Sequence, residues 1–447
     1  MELLKRRATA LDHYRSALMA EFVDWRRRTQ AGAALEKHQT QVERITASLE
    51  LFLDASGAPA TQGATAFGEN ERIFRRILGA QRLWDYFRSK LALRDVPWLR
   101  NDLVCADEFA WNCYQPAREQ AKAAGLLDEK RFKEPPLVYF SSEASPFAKG
   151  RDMTFPLEGI TTRDIQDFGA AILKLPIPVI SLPWFQVNHL PAAAAIGHEV
   201  GHTVERDFDL MPVVETLFQT LDLASKRLSA WVAWRQEIFA DIYGILCTGP
   251  ASVIALMNYL IDDPQVITKE QVTGPDWGAY PTRWLRMQLN FETLTQLGLD
   301  ATDLSQPWLD TYPFHLMDSF EADIPKVVRA VLETPLSVFG DQPLRAIVGF
   351  TPADVKQARN LAFAINNGGG LAKGIPFRHF FAATTLAYQA DPARYQQENA
   401  HKAIIERMIA AIPAGVRSAD GVLDEAKRAA HAQLDAAIGR DLLDLFT

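Results

Sequence analysis

The chain has 447 residues, 48% of them hydrophobic, which is enough for roughly two to three units of ordinary domain size around a large core. Its formal net charge of -8 argues against nucleic acid or an anionic membrane surface as the main partner. The three cysteines are too few for a disulfide framework, so the composition favours a reducing compartment.

The first residues predict a protein without a targeting or membrane segment. They run directly into charged, amphipathic sequence and contain no apolar signal core. No run of about 18 uncharged apolar residues occurs in the chain, so a membrane span is not expected. We therefore expect a cytoplasmic protein.

Residues 1–53 are predicted to form two antiparallel helices. One apolar stripe runs from Leu4 to Trp25 and a second from Leu35 to Phe52, with a break near Gly32. Neither stripe sustains four heptads, so packing within the chain is favoured over a long coiled coil. The same amphipathic helices would also suit a partner protein. A loop is expected over residues 54–70, and helical patterning returns afterwards, including residues 103–125.

The sequence changes character at Pro135. Residues 137–140 and 179–182 are short β-prone runs bounded by Pro, Gly and Ser. We predict an α+β, predominantly α-helical fold. Its parts would be an N-terminal helical region (1–133), a core region with a small sheet (134–300) and a C-terminal helical region (301–447).

The most informative motif is His198-Glu199-Val200-Gly201-His202. Two histidines four residues apart project from one face of a helix, which is the spacing that two imidazoles need to bind one metal ion. Glu199 is placed to deprotonate a water that the metal activates. Gly201 would let another backbone approach the helix closely. We expect Asn188 or a neighbour to cap this helix, with Pro191 in its first turn.

A third protein ligand must come from elsewhere in the chain. Some zinc proteases use a third histidine six residues after the second, but here that position is Phe208. Residues 222–247 instead predict a downstream helix on which Glu237 and Asp241 share a face. Glu237 can reach the metal, and Asp241 can accept the free ring N–H of a ligand histidine.

This combination of His-Glu-x-x-His with a later Glu-x-x-x-Asp resembles the glutamate-zincin metallopeptidases, the clan that includes thermolysin-like enzymes. The resemblance covers about 110 residues. It implies a zincin-like core with Zn²⁺ on His198, His202 and Glu237. It also implies Glu199 as general base and Asp241 as the partner of a ligand histidine. In that fold the strand before the motif helix, here residues 179–182, is expected to pair with extended substrate.

A second similarity lies downstream of Glu237. The segment from Tyr280-Pro281 to Arg286 resembles the His-Pro followed by Arg of the peptidase group related to the heat-shock HtpX and CAAX-processing enzymes. Tyrosine replaces histidine here. Tyr280 could donate a hydrogen bond to the developing oxyanion, and Arg286 could hold the site by pairing with a carboxylate.

Each of these interpretations has an alternative. Glu205 lies on the histidine face and rivals Glu237 as a ligand, although we expect it to be solvated or to support the ligands from outside the metal shell. Tyr280 could simply be a packed tyrosine before proline, and Arg286 a surface arginine. His315 is a weaker candidate for a transition-state donor.

The sequence as a whole predicts a zinc metallopeptidase that hydrolyses peptide or protein substrates. Two alternatives stay open at this point. The site could hydrolyse a non-peptide amide, because the motif specifies metal and water but not substrate. Alternatively, the protein could be a helical partner-binding protein with a residual zinc site.

Overall fold

The computed structural model describes residues 2–125, 134–142, 147–148, 177–270, 272–273, 276–313, 318–369, 374–413, 415, 417 and 425–445. The α-helices are α1 Glu2–Arg28, α2 Gln39–Ala55, α3 Ala66–Ala92, α4 Pro97–Ala123, α5 Ile196–Asp207, α6 Leu210–Gln219, α7 Ser225–Thr248, α8 Pro250–Leu260, α9 Pro264–Ile267, α10 Arg283–Gln296, α11 Thr302–Thr311, α12 Asp318–Glu321, α13 Ile324–Glu333, α14 Leu344–Ile347, α15 Pro352–Asn366, α16 Phe377–Ala390, α17 Pro392–Gln397, α18 Ala400–Ala411 and α19 Glu425–Leu445. The strands are β1 Leu137–Ser141, β2 Phe147–Ala148, β3 Val179–Pro183, β4 Val272–Thr273 and β5 Asp276–Trp277.

The predicted fold class is confirmed, because the chain is predominantly helical and contains a small sheet. Helix boundaries differ by a few residues from expectation. The loop predicted over 54–70 is shorter, since α3 already begins at Ala66, and α4 begins at Pro97, where a proline suits the first turn. Among the described residues, no helix is long and apolar enough to cross a membrane. The limits of the three predicted regions stay a prediction.

Helices α1 and α2 pack antiparallel, as predicted. The Nε of Arg26 donates to Thr46 Oγ1 over 2.7 Å, while Arg15 Nη2 donates to Asp54 Oδ1 over 2.5 Å. Their apolar stripes are buried in a core shared with α3 and with the last helix, α19. The stripes that suggested a partner protein are therefore covered by helices of this chain.

Strand β3 lies in the middle of a three-stranded sheet of order β1-β3-β2. Strand β1 is parallel to it, with Leu137 opposite Val179, and β2 is antiparallel, with Phe147 opposite Ser181. Both sides of β3 are thus occupied at Ile180 and Ser181. The expectation that β3 itself pairs with substrate is wrong, because no edge is free there.

A buried ion pair joins this sheet to α4. The Arg94 guanidinium donates to the Asp107 carboxylate from Nε over 3.1 Å and from Nη2 over 2.7 Å, and both side chains are almost fully buried. Arg94 also donates to the Val138 carbonyl over 2.7 Å, and Asp107 accepts the Val138 N–H over 3.0 Å. The pair therefore satisfies both backbone polar groups of one β1 residue.

The start of the motif helix differs from expectation. A 3₁₀ helix, Leu190–Ala195, carries Pro191 in its first turn, and α5 begins only at Ile196. Asn188 does not cap α5, because it lies outside the 3₁₀ helix and has a left-handed backbone with φ of 60°. Proline thus initiates the tighter turn that precedes the motif helix.

Candidate metal centre

Helix α5 presents His198 and His202 on one face. Their ring centroids lie 4.7 Å apart, and the two ring planes are nearly perpendicular at 89°. Their side chains are 15% and 17% exposed, so both rings are partly accessible. This is the arrangement that the four-residue spacing predicts.

Helix α7 brings Glu237 to the two histidines. Its Oε2 lies 3.5 Å from His198 Nε2, and its Oε1 lies 3.4 Å from His202 Nε2. One potential ligand atom from each of the three residues lies within 4.8 Å of the others. The three side chains therefore converge on a space in which one metal ion could contact all of them.

Close contact between α5 and α7 makes this convergence possible. A Cβ atom at Gly201 would lie only 2.8 Å from the Cα of Ala240 and 2.9 Å from the Cβ of Tyr243. A Cβ at Gly197, one turn earlier, would lie 3.3 Å from the Cα of Gly244. Glycine thus allows α7 to pack directly on the motif helix, as predicted for Gly201.

Asp241 lies one turn after Glu237 and contacts His198 through the ring nitrogen that faces away from Glu237. Its Oδ1 lies 2.7 Å from His198 Nδ1, which leaves Nε2 of that ring on the side of Glu237. Arg286 of α10 donates to Asp241 from Nε over 2.6 Å and from Nη2 over 2.8 Å. Its Nη2 also lies 3.4 Å from Glu237 Oε2. Arg286 is buried, so the interpretation as a surface arginine is wrong.

Sequence reasoning missed one member of this network. Asn290, one turn after Arg286 on α10, donates from Nδ2 to Asp241 Oδ2 over 3.3 Å and to the Arg286 carbonyl over 2.7 Å. The sequence feature that could have identified it is its four-residue spacing from Arg286, which places both residues on one face of a helix. That signal becomes informative only once Arg286 is known to face the site.

Electrostatics keep the two carboxylates ionised. Burial alone would raise the pKa of Glu237, but His202, His198 and Arg286 outweigh it and hold that pKa well below its usual range. Burial likewise opposes ionisation of Asp241, yet Arg286 and His198 lower its pKa to about 2. Burial lowers the pKa of His198, but Asp241 and Glu237 prevail and raise it to about 10. The ionised carboxylates of Glu237 and Asp241 therefore favour a protonated His198. A bound metal would displace a proton from this ring.

The remaining candidate residues occupy different surroundings. Glu199 is only 4% exposed and follows His198 directly on α5. Tyr280 is 41% exposed, so it is not a packed tyrosine, and its ring centroid lies 5.7 Å from the Arg286 guanidinium carbon. Glu205 is buried rather than solvated, and it is not part of the three-residue group found among the described residues. His315 lies outside the described residues.

Comparison with known proteins finds no matching family model, no matching curated protein and no matching solved structure. The functional argument therefore rests on the chemistry of the residues in this site.

Proposed function

We propose that this protein is a zinc-dependent metallopeptidase. The observation that carries the proposal is the convergence of His198, His202 and Glu237, with Glu199 next to the first histidine. A structural zinc site requires no general base, and protein ligands usually fill all four of its coordination positions. Three protein ligands leave the fourth position for a water or a substrate, as in catalytic zinc sites.

The donor set fits zinc. Two imidazole nitrogens and one carboxylate are the ligands of several zinc hydrolases, and the ionised Glu237 matches the positive charge of the ion. Asp241 fixes the orientation of His198 through Nδ1, so that Nε2 is available as the ligand atom. When bound, zinc would polarise the scissile carbonyl and acidify a water toward neutral pH.

The residues of the chain would perform the proton transfers. Glu199 accepts a proton from the attacking water and passes it to the leaving amine, as general base and then general acid. Tyr280 donates a hydrogen bond from its phenol hydroxyl to the oxyanion, since its exposed side chain is available to a substrate. Because β3 is covered on both sides, an extended peptide would add to β2, one of the two outer strands in the described part of the sheet.

Replacement of Glu199 by glutamine tests the mechanism. The amide keeps the size of the side chain but cannot accept the proton, so peptide cleavage should fall by about 10²–10⁴-fold. Zinc content, measured by atomic absorption, should stay at the level of the unmodified protein. Glu71→Gln, on a half-exposed side chain of α3, is the matched control and should leave both quantities unchanged.

The substrate for this experiment is a library of fluorescence-quenched peptides together with unfolded casein. Equal cleavage by the unmodified protein and Glu199→Gln would refute the role of Glu199. Zinc binding without any cleavage of peptides or casein would contradict the peptidase proposal. Hydrolysis of small amides instead would favour the non-peptide alternative.

A further inference from the structure

An aromatic cluster lies on α7 beside the proposed metal centre. Trp234 comes three residues before Glu237, so the two side chains belong to neighbouring turns on one side of the helix. The Trp234 ring contacts the ring of Trp277 from β5, at a centroid distance of 5.4 Å and with 74° between the ring planes. The cluster therefore begins about one helical turn, roughly 5 Å along the axis, before Glu237.

Phe320 of α12 holds the two tryptophans in place. Its ring centroid lies 5.3 Å from that of Trp234 and 6.0 Å from that of Trp277. A third tryptophan, Trp231, contacts Phe320 at 5.8 Å, and its Nε1 donates to Asp323 over 2.9 Å. Because each ring packs against others, the position of the Trp277 side chain is defined before any ligand binds.

Trp277 is the accessible member of this cluster. Trp231, Trp234 and Phe320 are at most 6% exposed, whereas Trp277 is only partly buried. Its neighbour on the strand, Asp276, is exposed. The cluster thus combines a rigid buried base with one aromatic surface that solvent can reach.

The chain continues from Trp277 toward the metal centre. Tyr280 follows three residues later, and its ring centroid lies 5.7 Å from the Arg286 guanidinium carbon. Arg286 Nη2 in turn lies 3.4 Å from Glu237 Oε2. Three residues span at most about 11 Å, so Trp277 cannot lie far from this contact. A ligand at the metal centre therefore has Trp277 as a neighbour on one side of Glu237.

We infer that Trp277 is a specificity-determining residue, which binds a large apolar or aromatic side chain of the substrate. The inference rests on the proposed function. A side chain one or two residues from the scissile bond can reach Trp277, because an extended chain advances about 3.3 Å per residue. Contact with a fixed indole ring favours an aromatic side chain over a small one, and burial beside it disfavours a charged one.

Hydroxamic acids, which bind catalytic zinc, test this inference without peptide cleavage. Acetohydroxamic acid can occupy the metal alone, whereas ω-phenylalkanohydroxamic acids of increasing chain length also carry a ring. The same chains without the ring are the comparators. Affinities for the zinc-loaded, full-length protein are measured by calorimetric titration. For at least one chain length, the phenyl compound should bind about 5–30-fold more tightly than its comparator.

Trp277→Leu removes the indole but keeps an apolar side chain. The phenyl preference should then fall to about twofold or less, while the affinity for acetohydroxamic acid stays unchanged. Trp98→Leu, on a 61% exposed tryptophan of α4, is the matched control and should keep the full preference. If Trp277→Leu fails to fold, Trp277→Phe is the second variant, and its smaller ring should lower the preference by at least about twofold.

The inference is overturned if the unmodified protein shows no phenyl preference at any chain length. It is also overturned if folded Trp277→Leu keeps the preference of Trp98→Leu, because Trp277 would then only anchor the β4–β5 hairpin. A failure of the proposed function has a different signature. Absence of acetohydroxamic acid binding to the zinc-loaded protein would refute the open metal position, and this inference with it. Hydroxamate binding without any peptide cleavage would refute only the peptidase proposal.

Discussion

Arg286 donates two hydrogen bonds to Asp241, from Nε to Oδ2 over 2.6 Å and from Nη2 to Oδ1 over 2.8 Å. The planar guanidinium fixes both oxygens of the carboxylate, and Asp241 in turn contacts His198 Nδ1. Arg286 therefore orients the His198 ring indirectly, through the Asp241 carboxylate. A histidine held in this way has a defined ring orientation and loses less freedom on binding a metal.

Asp241→Asn should weaken zinc binding by about 10–100-fold, since partners of a ligand histidine typically contribute this much to affinity. The amide has almost the same shape but lacks the negative charge that Arg286 and His198 contact. A competition titration with a chromophoric chelator measures the affinity. Asp222→Asn, on a fully exposed carboxylate, is the control. Equal zinc affinity of the two variants would show that Asp241 does not support the ligand.

Gly201→Ala should disturb both stability and zinc binding. The added methyl group would lie 2.8 Å from the Ala240 backbone, so α5 and α7 must move apart. We expect a loss of about 1–3 kcal/mol in the free energy of unfolding by urea, with weaker zinc binding. Gly68→Ala is the matched control, because no atom lies within 4 Å of its added Cβ. That variant should be neutral or more stable by about 0.5–1 kcal/mol, and an equal loss in both variants would contradict the packing argument.

Tyr280→Phe should lower kcat for peptide cleavage while zinc content stays unchanged. Loss of one oxyanion donor typically reduces kcat by about 10²–10³-fold, whereas a tyrosine with no catalytic contact would have little effect. Tyr259→Phe serves as the comparison, because its side chain is similarly exposed, at 44%, on α8. A normal kcat in Tyr280→Phe would assign oxyanion stabilisation to another group.

Asp107→Asn should destabilise the protein in a pH-dependent manner. Burial alone would raise the pKa of Asp107, but Arg94 and His38 outweigh it and hold that pKa well below its usual range. A carboxyl with a depressed native pKa stabilises the fold above its unfolded pKa of about 3.9, and this contribution disappears as the pH falls toward the native pKa. At pH 7 the variant should lose about 3–5 kcal/mol, since Arg94 would keep a buried charge without its anionic partner.

Urea unfolding at a series of pH values measures this effect. The difference in stability between the unmodified protein and Asp107→Asn should be constant from about pH 5 to 7 and should shrink below about pH 4. Asp222→Asn should show no comparable difference at any pH. If the difference in stability between the two proteins does not change with pH, Asp107 contributes through packing rather than through its charge.

Relationships within a single helix could be predicted from sequence alone. The four-residue spacings of His198 with His202, and of Glu237 with Asp241, follow from helical geometry once each segment is known to be helical. The same periodicity predicted α1, α2 and α7 to within a few residues, because local backbone geometry determines which side chains share a face.

Relationships between distant segments required the tertiary structure. The central position of β3 and the contact between Asn290 and Asp241 both depend on elements separated by tens of residues. No spacing rule connects such positions, because their proximity results from the packing of the whole core. The sequence thus identified residues that could bind a metal, whereas packing determined that Glu237 rather than Glu205 lies beside the histidines. The close approach of α7 at Gly201 is the physical reason for that outcome.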